Sequence, residues 1–116
     1  MTATTYDILI EQGATFRLNL IWKDSNNTPV NLTGYSARMQ IRRRYRDETI
    51  LLSLTSANGA IALGGSAGTI TVIASATGTA SLPAKDSVYD LELESADGTV
   101  TRLVEGGVTV TPEVTR

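Results

Sequence analysis

The sequence contains no cysteine and no histidine among its 116 residues. Without cysteine, the chain has neither a disulfide framework nor a thiolate ligand for a metal ion. Without histidine, it lacks the side chain that most often serves as a general base and as a transition-metal ligand. Histidine-dependent catalytic triads and zinc hydrolase sites are therefore excluded, and we expect no enzymatic activity, no catalytic residue, no cofactor and no metal.

Long apolar runs are also missing. No stretch approaches the roughly 20 apolar residues that cross a membrane, and residues 1–7 lack the basic and apolar regions of a secretory signal. We therefore expect a protein that is made in the cytoplasm and has no membrane partner. The net charge of −2 differs from the strongly basic character of nucleic-acid-binding domains, so a nucleic-acid partner is not expected either.

Aromatic residues are few, at 5% of the sequence, whereas 41% of the residues are hydrophobic and 19% are charged. These proportions are typical of a folded globular protein. The length suits one domain, residues 1–116, with a core of leucine, isoleucine and valine in which Trp22 is the largest member.

The sequence does contain short stretches in which apolar and polar residues alternate. Alternation with a period of two residues is typical of β-strands that bury one face. The clearest stretches are residues 15–23, 35–42, 50–55, 69–74 and 88–94, and shorter apolar stretches follow at 61–63, 100–104 and 108–111. No amphipathic helix of useful length is predicted.

Turn-forming residues separate these stretches. Residues 24–27 predict a reversal of the chain, and Asn58-Gly59 and Asp97-Gly98 each predict a tight hairpin between the stretches that flank them. Gly106-Gly107 predicts a bulge or turn before a last strand. The stretches 64–68 and 75–80 predict a flexible connection and a short helical turn or loop, respectively.

Short strands with turn signals every ten or so residues predict an all-β protein. We expect an antiparallel, immunoglobulin-like β-sandwich of about seven to nine short strands. A closed β-barrel is the alternative.

The most conspicuous cluster of charge is Arg42, Arg43, Arg44, Tyr45 and Arg46, which directly follows a predicted strand. Guanidinium groups pair bidentately with carboxylates and phosphates, so this cluster is a candidate interface. The alternatives are a solvated hairpin end and a contact with phosphate.

The two halves of the sequence differ in the sign of their charge. Basic residues concentrate before residue 47, whereas acidic residues crowd the last third of the chain. Either the oppositely charged strands are neighbours in one molecule, or a basic surface of one copy meets an acidic surface of the next.

Asp90, Glu92 and Glu94 alternate along one predicted strand. Their spacing is more typical of a solvent-facing strand than of a metal site, because a hard cation prefers six to eight oxygen ligands from a bent loop. Trp22, Tyr35 and Tyr89 fall in the apolar phase of their strands, which favours core packing over a sugar-stacking surface.

Three segments carry a resemblance to a known group of proteins. They are LTGYSARMQIR at residues 32–42, YDLEL at 89–93 and VTVTPEVTR at 108–116. Together they resemble small β-sandwich virion proteins of tailed bacteriophages and prophages, including the N-terminal domain of upper baseplate proteins and neck, collar and tail accessory proteins. The resemblance transfers no catalytic residue.

The resemblance implies a structural component of the virion. We expect it to dock through sheet edges and the basic cluster onto copies of itself, as a homo-oligomer, or onto other virion structural proteins. The alternatives are a carbohydrate-binding or host-recognition module and a capsid decoration protein.

Overall fold

The computed structural model describes residues 3–115. Within this range the chain forms nine β-strands and two short helical segments. The strands are β1 (Thr4–Thr5), β2 (Ile8–Glu11), β3 (Phe16–Ile21), β4 (Ser36–Arg42), β5 (Leu52–Thr55), β6 (Ile61–Leu63), β7 (Thr69–Ala74), β8 (Ser87–Glu94) and β9 (Val100–Thr111). A 3₁₀ turn spans Gly65–Ala67 and the helix α1 spans Ala76–Ala80. No helix in the described range is long and apolar enough to span a bilayer.

The strands form two sheets. The larger sheet has the order β1-β9-β8-β4-β5. Strand β2 also pairs with β9, on the same side as β1 but farther along β9. Both β1 and β2 run parallel to β9, whereas all other pairs are antiparallel. The smaller sheet has the order β3-β7-β6 and is entirely antiparallel. Within residues 3–115 the two sheets share no paired strand, so they form a sandwich and not a closed barrel.

This strand order is that of an immunoglobulin-like sandwich. In that fold, strands B, E and D belong to one sheet, and strands C, F and G, often with an added C′, belong to the other. Here β3, β7 and β6 take the B, E and D positions, and β4, β5, β8 and β9 take the C, C′, F and G positions. The predicted fold class is confirmed, with a first strand that pairs with β9 instead of β3.

The core lies between the sheets and is built from the inward residues of each alternating strand. In β8, for example, every second residue is buried, because successive side chains point to opposite faces of a sheet. The predicted alternation is confirmed in β3, β4, β7 and β8. The fully buried side chains include Ile10, Met39, Ile41, Ile70, Val72, Leu91 and Leu93.

The predicted hairpin at Asn58-Gly59 is wrong. Strand β5 pairs with β4 in the larger sheet, whereas β6 pairs with β7 in the smaller one, so the chain crosses between sheets at this turn. Gly59 has a positive φ of 83°, but Asn58 does not have the positive φ that a type I′ turn needs. The Asn58 side chain instead accepts hydrogen bonds from the main-chain N–H groups of Thr55 and Ala60 and closes a wider turn.

The predicted bulge or turn at Gly106-Gly107 is also wrong. Strand β9 continues through both glycines for 12 residues. The irregularity lies earlier, where Leu91 pairs with Val104 but Glu92 pairs with Arg102, so Leu103 is the extra residue.

Two further predictions need smaller corrections. The connection at residues 64–68 is a defined turn in which Gly68 is buried, and a Cβ there would stand 2.8 Å from the carbonyl oxygen of Trp22. Ile50, which the alternation places in a strand, lies outside β5 and is exposed. At residues 75–80 the structure forms the helical alternative, with the hydroxyl of Ser75 accepting a hydrogen bond from the N–H of Gly78.

Candidate docking surface

The basic cluster predicted from the sequence lies at the end of β4 and in the loop that follows it. Arg42 is the last residue of β4, and its guanidinium donates hydrogen bonds to the carbonyl oxygen of Asp47 at 2.5 Å and to Oε1 of Gln40 at 2.9 Å. Arg42 therefore holds the two ends of the loop together. Of the five residues predicted as an interface, it is the one whose guanidinium is hydrogen-bonded to another residue within the range 3–115.

The other four residues form what we call the arginine loop, residues 43–46. Arg44, Tyr45 and Arg46 are exposed, Arg43 is half-buried, and 67% of the surface of Tyr45 is accessible. None of the three guanidinium groups forms an ion pair with another residue in the range 3–115. The loop therefore carries three arginines that form no ion pair within residues 3–115, together with an exposed aromatic ring.

Two arginines of the larger sheet, Arg38 and Arg102, are neutralised within the molecule. Because β4 lies beside β8, Arg38 reaches Glu92 at 2.9 Å and Glu94 at 3.2 Å. On the other side of β8, Arg102 lies 3.5 Å from both Asp90 and Glu105. For these strands the structure confirms the alternative in which oppositely charged strands are neighbours in one molecule.

A groove of about 350 Å³ runs along this charged face and ends at the arginine loop. Its lining combines both signs of charge with the ring of Tyr45 and includes Arg38, Gln40, Arg42, Asp90 and Glu92. Burial raises the pKa of the Asp90 carboxyl, and the neighbouring Glu92 raises it further. The sequence did not reveal this groove, because its two walls come from strands that are about 50 residues apart in the chain.

The alternating carboxylates of β8 are engaged in these ion pairs. Glu92 and Glu94 face Arg38, and Asp90 faces Arg102. In the part of the chain that the structure describes, no three acidic side chains are grouped so that they could hold a metal ion. The face is therefore a charge ladder across three strands.

Trp22 and Tyr35 pack against each other at the edge of the core. Their ring centroids are 6.0 Å apart and their planes are nearly perpendicular, at 89°. Both rings are half-buried and lie against the apolar interior. This edge-to-face arrangement is a favourable aromatic contact and agrees with packing instead of sugar stacking. The prediction that Trp22 is the largest member of the core is wrong, because Trp22 is only half-buried at the core edge, and the largest fully buried side chain in the described range is that of Tyr89.

Similarity to known proteins is found among solved structures. Neither the protein-family models nor the curated protein sequences match this chain. Among solved structures, the extracellular domain of the voltage-gated sodium channel beta4 subunit matches with a TM-score of 0.48 and 11% sequence identity, over 98% of this chain and 97% of that chain. That domain forms parallel homodimers that were related to its role in cell–cell adhesion. No residue of the arginine loop is assigned a role by this comparison.

Proposed function

We propose that this protein is a non-enzymatic structural component of a tailed-phage virion, located in the baseplate, the tail or the neck and collar. It docks through its sheet edges and the arginine loop onto copies of itself or neighbouring virion proteins. The observation that carries this proposal is the contrast between two groups of arginines. Arg38 and Arg102 form ion pairs on the sheet, whereas Arg43, Arg44 and Arg46 form none within residues 3–115.

The composition of the arginine loop fits a protein interface. Arginine and tyrosine are enriched at protein–protein contacts, because both combine a large contact area with well-defined hydrogen-bonding groups. A carboxylate-rich partner surface would supply the missing counter-charges and orient the approach of the loop. A nucleic-acid partner is less favoured, since the neighbouring sheet face carries Asp90, Glu92 and Glu94 and would repel a phosphate backbone.

The location in a virion rests on the resemblance of three segments to small phage proteins. The first segment contains β4, and the second is the middle of β8. The third begins in the last residues of β9 and continues past the end of that strand. Because β9, β8 and β4 are consecutive strands of the larger sheet, the resemblance concerns one contiguous part of the molecule. The protein would then be made in the host bacterial cytoplasm and retained in the particle.

A matched pair of double variants tests the arginine loop. Arg44→Ser/Arg46→Ser removes two exposed charges from the loop, whereas Lys23→Ser/Lys85→Ser removes two exposed charges elsewhere. We expect the first variant to be lost from assembled particles and the second to be incorporated like the unmodified protein, with the same melting temperature for both. Equal incorporation of the two variants would show that the loop does not dock.

Copy number in purified particles tests the virion assignment itself. Quantitative mass spectrometry against the major capsid protein should give a small symmetric number, on the order of 3 to 12, for a ring at the neck or baseplate. Hundreds of copies would support capsid decoration instead. Absence from the particle would overturn the proposal.

A further inference from the structure

Strand β3 is an edge strand with an open hydrogen-bonding side. It pairs with β7 alone. Directly after β3, the N–H of Trp22 donates a hydrogen bond to the carbonyl oxygen of Gly68, so this N–H points toward the β7 side. In an antiparallel pair, successive residues point their main-chain groups alternately toward and away from the partner strand. The N–H and C=O groups of Arg17, Asn19 and Ile21 therefore point away from β7, and none of them is hydrogen-bonded in the range 3–115.

This edge lacks the features that usually prevent strand pairing. Prolines, bulges, inward-pointing charges and short length are the common protections of edge strands. Strand β3 has six residues in regular register, no proline, and Arg17 as its one charged residue. The other edge strands that the structure describes have two, three or four residues.

Side chains along the same edge are incompletely covered. Ile21 is 57% exposed on the outer face of the smaller sheet. Phe16, Leu20 and Trp22 point toward the core but remain half-buried. Both faces of the edge therefore keep apolar surface in contact with water, which is unfavourable unless another strand covers it.

We propose that β3 pairs with β3 of a second copy, antiparallel about a two-fold axis at Asn19. The pairing places the proposed docking through sheet edges at β3, and in that respect it rests on the proposed function. Asn19 then lies opposite Asn19 of the second copy, and Arg17 lies opposite Ile21. All six open main-chain groups on each edge belong to hydrogen-bonded residue pairs in this register, and the two small sheets become one sheet of six strands.

The charges of the edge are compatible with a second copy of this chain as the occupant. The two Arg17 side chains are offset by four residues, roughly 13 Å along the strands, so they do not repel at close range. The apolar part of each Arg17 side chain covers Ile21 of the other copy. In the middle of the interface the two neutral Asn19 amides face each other.

The apolar side chains also match in this register. On the inner face Leu18 lies opposite Leu20 of the second copy, and Phe16 lies opposite Trp22. Leu20, Phe16 and Trp22 are the side chains that remain half-buried in the single molecule. One two-fold axis therefore satisfies the hydrogen bonds and covers the exposed apolar surface on both faces, as a closed symmetric dimer requires.

Single cysteines test this register sharply, because the chain contains no cysteine of its own. Asn19→Cys places two thiols on residues whose Cα atoms are about 5.5 Å apart, within disulfide range. Under mild oxidation of the purified protein, we expect a covalent dimer for Asn19→Cys and none for Arg17→Cys or Ile21→Cys alone. A mixture of the last two variants should cross-link, because residue 17 faces residue 21. Absence of the Asn19→Cys dimer, or equal cross-linking of all three single variants, overturns the proposal.

A charge pair at residue 21 gives a second test without cysteine. Ile21→Glu places a carboxylate opposite Arg17 of the second copy, whereas Ile21→Lys places a like charge there. Both variants lose the same apolar side chain, so they are matched controls for each other. Sedimentation equilibrium should show a dimer dissociation constant at least tenfold lower for Ile21→Glu than for Ile21→Lys at low salt, and equal constants contradict the pairing.

The outcomes separate this inference from the proposed function. If the cysteine variants fail to cross-link but the protein is found in particles, the β3 pairing is wrong and the virion role stands. If they cross-link with the expected register but the protein is absent from particles, the dimer stands and the virion role is wrong.

Discussion

At the scale of single residues, one glycine determines how closely the N-terminal segment can lie on β9. A Cβ atom at Gly106 would stand 2.4 Å from the carbonyl oxygen of Tyr6, which is too close for any side chain. At the next residue, Gly107, a Cβ would stand 3.5 Å from Oδ1 of Asp7, an ordinary contact. The two neighbouring glycines therefore differ in what they allow.

We expect Gly106→Ala to lower the free energy of unfolding by about 1–3 kcal/mol, because the N-terminal segment must move off β9. Gly107→Ala is the matched control and should change stability by less than about 1 kcal/mol in either direction. Urea denaturation of both variants measures the difference. Equal effects would show that the N-terminal segment does not pack on β9 as described.

Tyr89 joins the same segment to the core. Its side chain is buried, and its hydroxyl donates a hydrogen bond to the carbonyl oxygen of Tyr6 at 2.5 Å. Burial raises the pKa of the Tyr89 phenol far above its ordinary value of 10.0. The folded protein therefore keeps this proton at pH values where the unfolded chain releases it.

This difference predicts a loss of stability at alkaline pH. Above about pH 10 the unfolded chain binds fewer protons than the folded protein, so stability falls with rising pH by up to about 1.4 kcal/mol per unit. Tyr89→Phe should cost about 0.5–1.5 kcal/mol at pH 7 and remove this contribution to the slope. Urea midpoints between pH 8 and 11 measure both effects, and parallel curves for the two proteins would contradict the assignment.

At the scale of elements, the outer face of the larger sheet depends on the order of its strands. Strand β8 carries three carboxylates on its outer face, and it lies between β4 and β9, each of which contributes an arginine. The pairs are partly exposed, so each contributes little by itself. Their main effect is to give the three neighbouring carboxylates of β8 counter-charges on the adjacent strands, which reduces the repulsion among them.

Removal of one arginine from this ladder tests the effect. We expect Arg38→Gln to lower stability by about 0.5–1 kcal/mol at low ionic strength and by less in high salt. Lys23→Gln is the control, because Lys23 is exposed and has no ion pair in the part of the chain that the structure describes. Thermal unfolding at two salt concentrations measures the difference, and an identical salt dependence of the two variants would contradict the ladder.

At the scale of the whole molecule, both sheets share one core. Ile70 of β7 and Leu91 of β8 are fully buried, although they belong to different sheets. Strands from both sheets therefore pack into the same core. If one sheet unfolded, the apolar face of the other sheet would be exposed to water. The molecule should unfold in one cooperative step.

We expect Ile70→Ala and Leu91→Ala each to lower stability by about 2–5 kcal/mol while unfolding stays a single transition. Trp22, the one tryptophan, reports by fluorescence on the end of β3, and far-UV circular dichroism reports on all strands. The two signals should change together in both variants. Separate midpoints in either variant would show that the sheets unfold independently.

Local sequence patterns were sufficient for most strands and for the fold class. A strand with one buried face must alternate, so residues 16–22, 36–42 and 88–94 could be assigned without knowledge of their neighbours. The hairpin at Asp97-Gly98 was also predictable from local sequence, because the strands that it joins, β8 and β9, are adjacent in both sequence and space. The exposed position of the arginine loop also follows from its composition.

Tertiary structure alone decided where strands cross between sheets and which charges remain uncompensated. Asn58-Gly59 has the sequence of a hairpin, but the partners of β5 and β6 lie in different sheets, and local residues carry no information about distant partners. Gly106-Gly107 predicts a turn or bulge from sequence alone. The structure shows instead that Gly106 leaves room for the main chain of Tyr6, a residue 100 positions earlier. The sequence places Arg38 in a strand and Arg44 in a basic cluster, but it does not show which of the two has a carboxylate partner. Only the pairing of β4 with β8 brings carboxylates within ion-pair distance of Arg38, whereas Arg44 forms no ion pair in residues 3–115, because electrostatic neutralisation depends on distance in space and not on separation along the chain.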